Sequence, residues 1–572
     1  MNANHGEIMI KVKVLSALEA VKLIPDGATV GVTGFGGAAF PEVVTEAVEA
    51  SFLAEAHPRD LSLYFCSGSG DYKSKGTNHF GHEGLVRKVV MGHWNPAPML
   101  VELAMANKIE AYNFPQGTLT QLVRDIAAGK PGTVSRVGLK TFVDPRVEGG
   151  KLNEVTTEDL VEVIQLDGQE YLFYKGCKID VAIIRGTSAD EKGNLSMEKE
   201  AVSVESLSMA QAARNSGGIV IAQVERIVSA GSLDPRMVKV PGILVDVVVL
   251  VSPEQQWQTF SEHYVPGYCG EVRTPFEGFS PLPLDARKII ARRAALELAE
   301  GDVVNLGIGI PEGIALVASE EGTADQITLT VEAGGVGGIP AAGLSFGAST
   351  NVEALLDMPY QFDFYDGGGV DAAFLGLAQM DQHGNVNVSK FGPRIAGCGG
   401  FINITQNAKK VIFCGAMTAG GLKIAVDDGE VRILSEGKVD KFPQEVEQIT
   451  FSGEYAQSVS QVVLCVTERA VFELTAEGVV LTEIAPGIDL ERDVLAHMGF
   501  TPIISHELRI MDAKIFSPGP MYAMTDVSRD RIRKGSGSGG DGSAARYSLR
   551  NVLGMTEPHA RNWLPGVETL RT

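Results

Sequence analysis

Short apolar runs alternate with helical patterns along the chain, and the order of these elements repeats in its two halves. Ser16 and Glu19 have the spacing of a capping box, which predicts a helix followed by a strand at 29–32. In the second half, Asp285 is placed to cap a helix, and 303–306 is the strand that follows it. The repeated order predicts two similar open α/β domains, fused in one chain and facing each other.

A second pair of segments repeats without a gap. Residues 180–195 align with 371–386, and each copy is an apolar strand followed by an Asp-x-x-Gly-Asn turn. A proline- and glycine-rich stretch separates the two halves, and a glycine- and serine-rich stretch follows the second. We therefore divide the chain into an N-terminal domain at 1–265, a linker at 266–284, a C-terminal domain at 285–525 and a flexible tail at 526–572.

Composition and charge narrow the classes of function. The chain of 572 residues carries a formal charge of −22, which disfavours binding to nucleic acid or to an anionic membrane surface. No apolar window is long enough for a transmembrane helix, and the N-terminal residues lack the pattern of a secretory signal. The six cysteines have no CxxC spacing, which argues against a disulfide framework and a zinc site. We therefore expect a cytoplasmic protein that acts on small molecules.

Glu332 stands where a predicted buried strand meets a glycine-rich turn. It follows the apolar run 327–331 and precedes the segment 333–338, in which four of six residues are glycine. A carboxylate at the C-terminal end of an α/β strand, beside an open loop, is a candidate nucleophile. Alternatively, Glu332 is a solvated rim residue, or Cys66, which occupies the equivalent place in the first half, is the nucleophile. Small buried cysteines are usually packing residues, which favours Glu332.

The motifs along the chain resemble those of the family I coenzyme A transferases, most closely the propionate (acetate/propionate) branch. The matching stretches are 34–37, 78–81, 92–95, 115–119, 141–146, 305–309, 330–335, 362–369, 384–390 and 397–403. The resemblance implies the fold of these transferases, with two fused domains that are separate subunits in some relatives. It also implies a homo-oligomer and a nucleophilic glutamate in the second domain. Glu332 matches that position.

The resemblance implies an enzyme that transfers coenzyme A between a short-chain acyl-CoA and a free carboxylic acid of the acetate/propionate class. Because this transfer conserves a thioester, a carboxylate relay through an anhydride and a glutamyl-CoA thioester is a natural route. It is a ping-pong reaction that needs neither a metal nor a redox cofactor, so we predict none. Two alternatives stay open: an acyl-CoA hydrolase that uses the same glutamate with water, and a non-catalytic module that binds acyl-CoA or another metabolite.

Each step of such a transfer creates a tetrahedral anion that needs hydrogen-bond donors. A glutamine before a helix start, as Gln116 is, is by itself more typical of a capping or surface residue. The resemblance places this Pro-Gln-Gly glutamine at the catalytic site, so we predict that Gln116 is one donor. The second donor is predicted to be a backbone N–H of the run 397–400, since glycine-rich runs form anion nests. Its glycines are Gly397, Gly399 and Gly400.

Asn305, Gly307 and Gly309 form a predicted strand-to-helix turn. Residue 312 is glutamate where a complete dinucleotide fingerprint needs its third glycine, so the GxG pattern is a weak nucleotide signal. Backbone N–H groups at such a turn can still contact a phosphate. We therefore assign these three residues to coenzyme A binding or to oxyanion stabilisation.

Three histidines, His79, His82 and His93, raise the possibility of a metal site. Their spacing is not that of a helical ligand pair, and no cysteine or carboxylate array joins them, so we predict no metal. They line the acyl pocket or satisfy buried hydrogen bonds instead. We assign His93 to the acyl pocket, together with Gly36 and Gly37. The preferred acid does not follow from these patterns.

Overall fold

The computed structural model describes residues 12–274 and 281–521. In the first half of the chain, eight parallel strands form one sheet. In chain order they are β1 (Lys13–Leu15), β2 (Thr29–Val32), β3 (Leu61–Phe65), β4 (Val86–Met91), β5 (Glu110–Asn113), β6 (Val181–Arg185), β7 (Ile219–Val224) and β8 (Val247–Leu250). They lie side by side in the order β1-β8-β7-β6-β2-β3-β4-β5.

In the second half, ten strands form a mixed sheet. They are β9 (Val303–Leu306), β10 (Thr328–Thr330), β11 (Gly335–Val336), β12 (Ala354–Leu355), β13 (Ala372–Gly376), β14 (Lys410–Cys414), β15 (Val462–Val466), β16 (Ala470–Thr475), β17 (Gly478–Ile484) and β18 (Ile503–Ile510). Their spatial order is β12-β11-β10-β9-β13-β14-β15-β16-β17-β18. The central strands β10, β9, β13, β14 and β15 are parallel. Antiparallel pairing adds β11 and β12 on one side and β16 and β17 on the other, and β18 lies parallel to β17 at the edge.

Five strands of each sheet have the same order and direction. The series β8-β7-β6-β2-β3 of the first sheet corresponds to β15-β14-β13-β9-β10 of the second. The turns after β6 and β13 also match, because Asp190 accepts a hydrogen bond from the Asn194 N–H as Asp381 does from the Asn385 N–H, each at 3.0 Å. The predicted α/β class and its two similar domains are thereby confirmed.

Ten α-helices lie within the described ranges. They are α1 (Ala17–Val21), α2 (Glu42–Glu55), α3 (Pro98–Met105), α4 (Gln116–Ala127), α5 (Ser206–Asn215), α6 (Ala286–Ala295), α7 (Glu312–Glu320), α8 (Met358–Asp366), α9 (Phe401–Asn407) and α10 (Gly453–Ser458). The predicted capping box forms at the N-terminus of α1, where the side chains of Ser16 and Glu19 each accept a hydrogen bond from the backbone N–H of the other. Asp285 caps α6 as predicted, accepting from the Lys288 N–H at 3.1 Å.

Smaller elements surround the two sheets. A four-stranded sheet comprises Arg226–Val228, Ser188–Asp190, Leu195–Ser196 and Val238–Val240, and a three-stranded one comprises Gly132–Ser135, Gln169–Lys175 and Val161–Leu166. Five two-stranded pairs are Ile339–Pro340 with Ser349–Thr350, Gln379–Met380 with Val386–Asn387, Lys390–Phe391 with Arg394–Ile395, Thr418–Ala419 with Val439–Asp440, and Lys423–Asp427 with Glu430–Ser435. Single helical turns are Thr77–Phe80, Gly242–Leu244, Pro253–Gln255, Ala324–Gln326, Gly343–Ser345, Leu490–Val494, Leu495–His497 and Ala513–Phe516.

The predicted domain boundaries remain predictions. All strands of the first sheet lie within 1–265 and all strands of the second within 285–525. The tail 526–572 lies outside the described residues, as do residues 275–280 of the predicted linker. Across 12–274 and 281–521, no helix combines the length and the apolar character needed to cross a membrane.

The strands of each parallel region are apolar and are covered on both faces, so groups that contact a ligand are expected at the strand ends. β6, for example, is buried at every residue, as expected for a parallel strand covered by helices on both faces. In open α/β sheets, ligands bind at the C-terminal ends of the strands. β3 leads there into Cys66, and β10 leads into Glu332.

Candidate functional site

Glu332 lies just beyond the C-terminal end of β10, as the sequence predicts. β10 is held in register by β9, where Asn305 pairs with Thr330. Among the described residues no cation forms an ion pair with the Glu332 carboxylate. Glu332 is half-buried at this strand end, and the lost hydration of its charge, which no charge among the described residues offsets, raises its pKa to about 7. A carboxylate in this state is a stronger base, and a better nucleophile, than one in water.

A bare backbone faces this carboxylate. Gly400 is the N-cap residue of α9, and a Cβ built on it would overlap Glu332 Oε2. The same Cβ would lie 3.0 Å from Phe362 Cζ. The backbone conformation at Gly400 is ordinary, with φ of −82°. Close approach of Glu332, and not backbone strain, therefore requires glycine at this position.

Fewer N–H groups of the predicted anion nest at 397–400 are available to an anion than the sequence suggests. The Gly397 N–H donates to Ser389 O at 3.0 Å, and the Gly399 N–H donates to Gly92 O at 2.7 Å. The Cys398 N–H donates to Asn113 Oδ1 at 2.9 Å. These three amides already have acceptors, so Gly397 and Gly399 are not available as oxyanion donors through their N–H groups. Of this run, only the Gly400 N–H has no acceptor among the described residues.

Gln116 opens α4 at the boundary between the domains. Its backbone N–H donates to Gly399 O at 2.9 Å, and its side-chain Nε2 donates to Met358 Sδ at 3.3 Å. It is buried, so the capping or surface interpretation does not hold. A thioether sulfur is a weak acceptor, which leaves Nε2 able to turn towards a stronger one.

One cavity of about 610 Å³ collects nearly all the predicted site residues. Those that line it are Glu332, Gln116, Asn305, Gly307, Gly397, Gly399, Gly400, Gly36, Gly37 and His93. Gly309 is not among them, and its carbonyl accepts from Arg287 Nη2 at 3.2 Å instead. The cavity therefore lies between the C-terminal strand ends of both sheets, with walls from both domains.

Asn305 lines this cavity but uses its amide inside the fold. Its Nδ2 donates to Thr330 O at 3.3 Å and to the Tyr365 hydroxyl at 3.2 Å. The Tyr365 hydroxyl in turn donates to Thr330 Oγ1 at 2.8 Å. The Asn305 side chain therefore links β9 to β10 beside Glu332, and the assignment of Asn305 to coenzyme A binding or to oxyanion stabilisation stays a prediction.

Gly36 and Gly37 form the wall where a first-domain loop meets the second domain. A Cβ on Gly36 would lie 2.8 Å from Phe346 O, and one on Gly37 would overlap Leu344 O. Gly36 also has a positive φ of 55°, which glycine adopts without strain. Both glycines thus permit close contact between the domains at the cavity wall.

The three histidines separate into two groups. His79 and His82 hydrogen-bond to Glu49, and His79 also bonds to Glu42 at 3.0 Å, all away from the cavity. His93 lines the cavity, and burial together with the Arg394 charge lowers its pKa to about 4. It is therefore a neutral imidazole. Within the described residues, no group of three His, Cys, Asp or Glu side chains is arranged to hold a metal ion.

Cys66, the alternative nucleophile, is buried and does not line the cavity. Burial and the neighbouring Glu205 carboxylate raise the pKa of the Cys66 thiol well above its usual range. Glu205 is the N-cap residue of α5, the helix that occupies in the first domain the place of α9 in the second. In the second domain, a strand-end glutamate faces the helix N-cap residue Gly400. In the first domain, a strand-end cysteine faces the corresponding N-cap residue, Glu205.

Comparison with known proteins decides the family. The family model described as coenzyme A transferase matches residues 14–250, which cover the first sheet. Over 511 residues the chain is 50% identical to the caffeate CoA-transferase of Acetobacterium woodii, spanning 88% of this chain and 97% of that protein. The chain belongs to the family I coenzyme A transferases. It is also 47% identical over 513 residues to the acetate CoA-transferase YdiF of Escherichia coli K12, spanning 89% of this chain and 96% of that one.

Solved structures agree with the fold of this coenzyme A transferase. The acyl-CoA transferase YdiF of E. coli O157:H7, solved as a thioester complex with CoA, superposes with a TM-score of 0.85 at 46% identity. The match covers 90% of this chain and 97% of that one. The apoenzyme of the same protein gives a TM-score of 0.86.

Sequence patterns left two residues of this transferase without a role. Asn403 accepts a hydrogen bond from the Gly117 N–H, next to Gln116, and also bonds to Asp366. Both belong to motifs that carry the family resemblance, at 397–403 and 362–369. Spacing alone could not connect them to Gln116, since they are more than 240 residues away in sequence.

Proposed function

We propose that this coenzyme A transferase moves coenzyme A between a short-chain acyl-CoA and a free carboxylic acid, with Glu332 as the covalent relay. One observation carries the proposal: a carboxylate without a counter-ion stands at the wall of the interdomain cavity, against the bare backbone of Gly400. The thioester complex of YdiF supports a thioester stage in this family. The relatives are named for two acids of different size, acetate and caffeate, so their names do not define one substrate class. We propose the acetate/propionate class because the motifs most resemble that branch of the family.

The proposed reaction balances without water or a proton donor. The Glu332 carboxylate attacks the acyl-CoA carbonyl, and the C–S bond breaks to give an acyl-glutamyl anhydride and coenzyme A thiolate. The thiolate then attacks the Glu332 carbonyl carbon, which releases the first carboxylate and leaves a glutamyl-CoA thioester. The incoming carboxylate attacks the carbonyl carbon of this thioester, and the C–S bond breaks to give a second acyl-glutamyl anhydride and coenzyme A thiolate. The thiolate then attacks the acyl carbonyl of this anhydride, and the bond from that carbonyl to the Glu332 oxygen breaks. These steps form the second acyl-CoA and restore the Glu332 carboxylate.

Two donors are proposed for the tetrahedral anions. Within 12–274 and 281–521, Gln116 Nε2 donates only to a thioether, so turning it to an oxyanion exchanges a weak bond for a charge-assisted one. The Gly400 N–H is the second proposed donor, because it lacks an acceptor in the described residues and belongs to the residue that contacts Glu332. Such preorganised donors contribute most where water is excluded.

The cavity lining favours transfer over hydrolysis. Apolar residues, among them Leu306, Ile308 and Phe346, line the cavity beside Glu332. An apolar wall disfavours an ordered attacking water and so protects the anhydride and the thioester. The third possibility, a non-catalytic binding module, would not need a glutamate whose charge is desolvated without a partner.

The remaining expectations are part of the same proposal. The transferase works without a metal or redox cofactor, since the steps above need neither an external Lewis acid nor an electron carrier. We propose cytoplasmic action, which agrees with the six free cysteines. A homo-oligomer is proposed on the family resemblance alone.

Trapping the intermediate tests Glu332. The enzyme is incubated with acyl-CoA and no acceptor acid, treated with borohydride or left untreated, and examined by intact mass and peptide mapping. In the untreated sample we expect Glu332 to gain the mass of coenzyme A less one water, and after borohydride we expect that residue to be reduced. Glu332→Gln and Glu332→Ala remove the nucleophile and should form no adduct. Cys66→Ser is the control, and it should form the adduct like the wild type. An adduct on Cys66 would overturn the mechanism.

Steady-state kinetics separate the three functions. A transferase gives parallel lines in two-substrate plots and releases little free coenzyme A without an acceptor acid. A hydrolase turns over without acceptor, and a binding module forms no adduct. A series of acids from acetate to caffeate then defines the substrate class, and kcat/KM highest for acetate and propionate is expected.

A further inference from the structure

The first turn of α4 is capped by the other domain. The first N–H groups of a helix have no partner within the helix, and Pro115 before α4 supplies no side-chain cap. Here the Gln116 N–H donates to Gly399 O at 2.9 Å, and the Gly117 N–H donates to Asn403 Oδ1 at 3.0 Å. The residue proposed to bind the oxyanion is thus fixed at its own backbone by two second-domain acceptors.

Asn403 is held in one orientation. It lies in α9, and its side chain is fully buried. While Oδ1 accepts from Gly117, Nδ2 donates to Asp366 Oδ1 and Oδ2 at 3.0 and 3.1 Å. Rotating the amide by half a turn would set Nδ2 against the Gly117 N–H and Oδ1 against the Asp366 carboxylate. The contact with the Gly117 N–H would then be repulsive, and so would the contact with an ionised Asp366, so the two together fix which end of Asn403 faces α4.

Asp366 also joins Asn403 to a second point on α4. Gln121 Nε2, one turn beyond Gly117, donates to Asp366 Oδ2 at 2.9 Å. Asn407 Nδ2 donates to Asp366 Oδ1 at 3.3 Å. Burial raises the pKa of Asp366 to about 7, although the amides of Asn403 and Gln121 oppose the rise. Asp366 therefore connects α8, α9 and the first turns of α4, and no cation in the described part of the chain forms an ion pair with it.

Asn403 packs directly against the first turn of α4. A Cβ on Gly117 would lie 2.6 Å from Asn403 Nδ2 and would overlap the Phe362 ring. The start of α4 thus rests directly on the second-domain side chains. A shift of Asn403 would move the Gln116 backbone, and displacements of about 1 Å at a catalytic group lower rates near 10²-fold.

We propose that Asn403, oriented by Asp366, is a positioning residue. It acts across the domain boundary and fixes the position of Gln116 relative to the Glu332–Gly400 contact. The inference rests on the proposed oxyanion role of Gln116. Asn403 does not touch the reacting atoms. Its effect on turnover is exerted through the backbone of Gln116, so it should vanish when the Gln116 side chain is absent.

A double-mutant cycle tests this dependence. Asn403→Ala in the wild-type background is expected to lower kcat by about 10- to 100-fold, with KM for acyl-CoA changed only about threefold or less. In the Gln116→Ala background the same change should alter kcat by about threefold or less. Asn215→Ala is the matched control, because Asn215 Nδ2 donates to Ala127 O at 2.7 Å, at the opposite end of α4. It should leave the kcat of each background unchanged.

The outcomes distinguish this inference from the proposed function. If Gln116→Ala lowers kcat and Asn403→Ala lowers it by the same factor in both backgrounds, the positioning role is overturned and the donor role stands. If Gln116→Ala retains full turnover, both the donor role and the positioning role are overturned. If Asn403→Ala alone retains wild-type kcat, only the positioning role is overturned.

Exchanging the two side chains gives a second test that does not depend on the alanine variant folding. Asn403→Asp alone places two carboxylates within hydrogen-bond distance, so a large loss of kcat is expected. Adding Asp366→Asn restores one carboxylate and one amide, with the new residue at 403 still able to accept from the Gly117 N–H. The double variant should recover kcat by about tenfold or more over Asn403→Asp. No recovery in a folded double variant would overturn the assigned arrangement.

Discussion

The Gly400 Cα stands so close to the Glu332 carboxylate that a methyl group placed on it would overlap Oε2. The nucleophile and the N-terminus of α9 are therefore fitted to each other without an intervening side chain. Partial positive charge at a helix start favours a nearby anion, and the Gly400 N–H has no acceptor in the described ranges. This contact joins the strand that positions the proposed nucleophile to the backbone proposed to bind the oxyanion.

Gly400→Ala is predicted to disrupt the site without disrupting the fold. The φ of −82° at Gly400 suits alanine, so the effect should come from overlap with Glu332 and not from backbone strain. We expect a loss of about 10²-fold or more in kcat, because a displacement of about 1 Å is enough for that, and a Tm close to that of the wild type. Gly313→Ala in α7 is the control, since the nearest atoms to its added methyl belong to side chains, at 3.2 and 3.3 Å. Full activity in Gly400→Ala would contradict the contact.

Activity should fall as the solution becomes more acidic than the pKa of Glu332. Burial raises this pKa to about 7, and only the carboxylate form can attack. The active form therefore predominates above pH 7, and kcat/KM should fall about tenfold for each pH unit below it. The acid co-substrate, a simple aliphatic acid with a pKa of about 5, stays mostly ionised from pH 5.5 upwards. A profile of kcat/KM with acyl-CoA from pH 5.5 to 8.5 checks this, and a flat profile would contradict it.

Local patterns predicted the elements and much of the site, but not how their polar groups are used. The strand before Glu332, the helix after Pro115 and the Asp turns follow from short segments, so periodicity and capping rules suffice. The Cys398 N–H is not available to an oxyanion because it donates to Asn113, which is 285 positions away in the chain. No local rule predicts such a bond. Asn305 is similar, because its inward amide bonds follow from the register of β9 beside β10.

The position of Cys66 shows the same limit. Its alignment with Glu332 is correct, since both residues follow corresponding strands of the two sheets. Whether a strand-end residue reaches the cavity depends on which side of the sheet its side chain points to and on what packs there. In the first domain Glu205 fills that space, and the cysteine is buried.

Gln116→Ala is predicted to lower kcat by about 10² to 10³-fold, the usual effect of removing one oxyanion donor. The truncated side chain loses only a bond to the Met358 sulfur in the ground state, so the Tm and the affinity for coenzyme A should change little. Gln116→Glu keeps the size of the side chain but replaces the donor with an anion. Its kcat should therefore be lower still. An unchanged kcat in folded Gln116→Ala would contradict the role.

Chelation is predicted to leave activity unchanged. In the described part of the chain no side-chain group is arranged to hold a metal, and the proposed steps balance without one. Dialysis against EDTA should therefore leave kcat at its initial value, and elemental analysis of active enzyme should find well below one metal ion per chain. Reversible loss of activity that zinc restores would contradict this prediction.

Glu205→Gln is predicted to make the fold more stable at neutral pH. The Glu205 carboxyl is buried beside the Cys66 thiol, which is at most a weak donor, and burial raises the pKa of Glu205 to about 8. In the unfolded chain the same group ionises near its ordinary value of 4.5. Between these values the unfolded state binds fewer protons than the folded state, so stability is highest below the lower value and decreases as the pH rises towards the upper one.

The expected gap between Glu205→Gln and the wild type therefore widens with pH, by about 3 kcal/mol from pH 5 to pH 7. Glutamine retains the shape of the neutral acid and has no proton to lose. Denaturant midpoints measured for both proteins at several pH values give this difference, because titrations at other sites cancel in the comparison. Glu46→Gln on the exposed face of α2 is the matched control, and it should follow the wild type at each pH. A constant gap across this range would show that Glu205 is ionised in the folded protein.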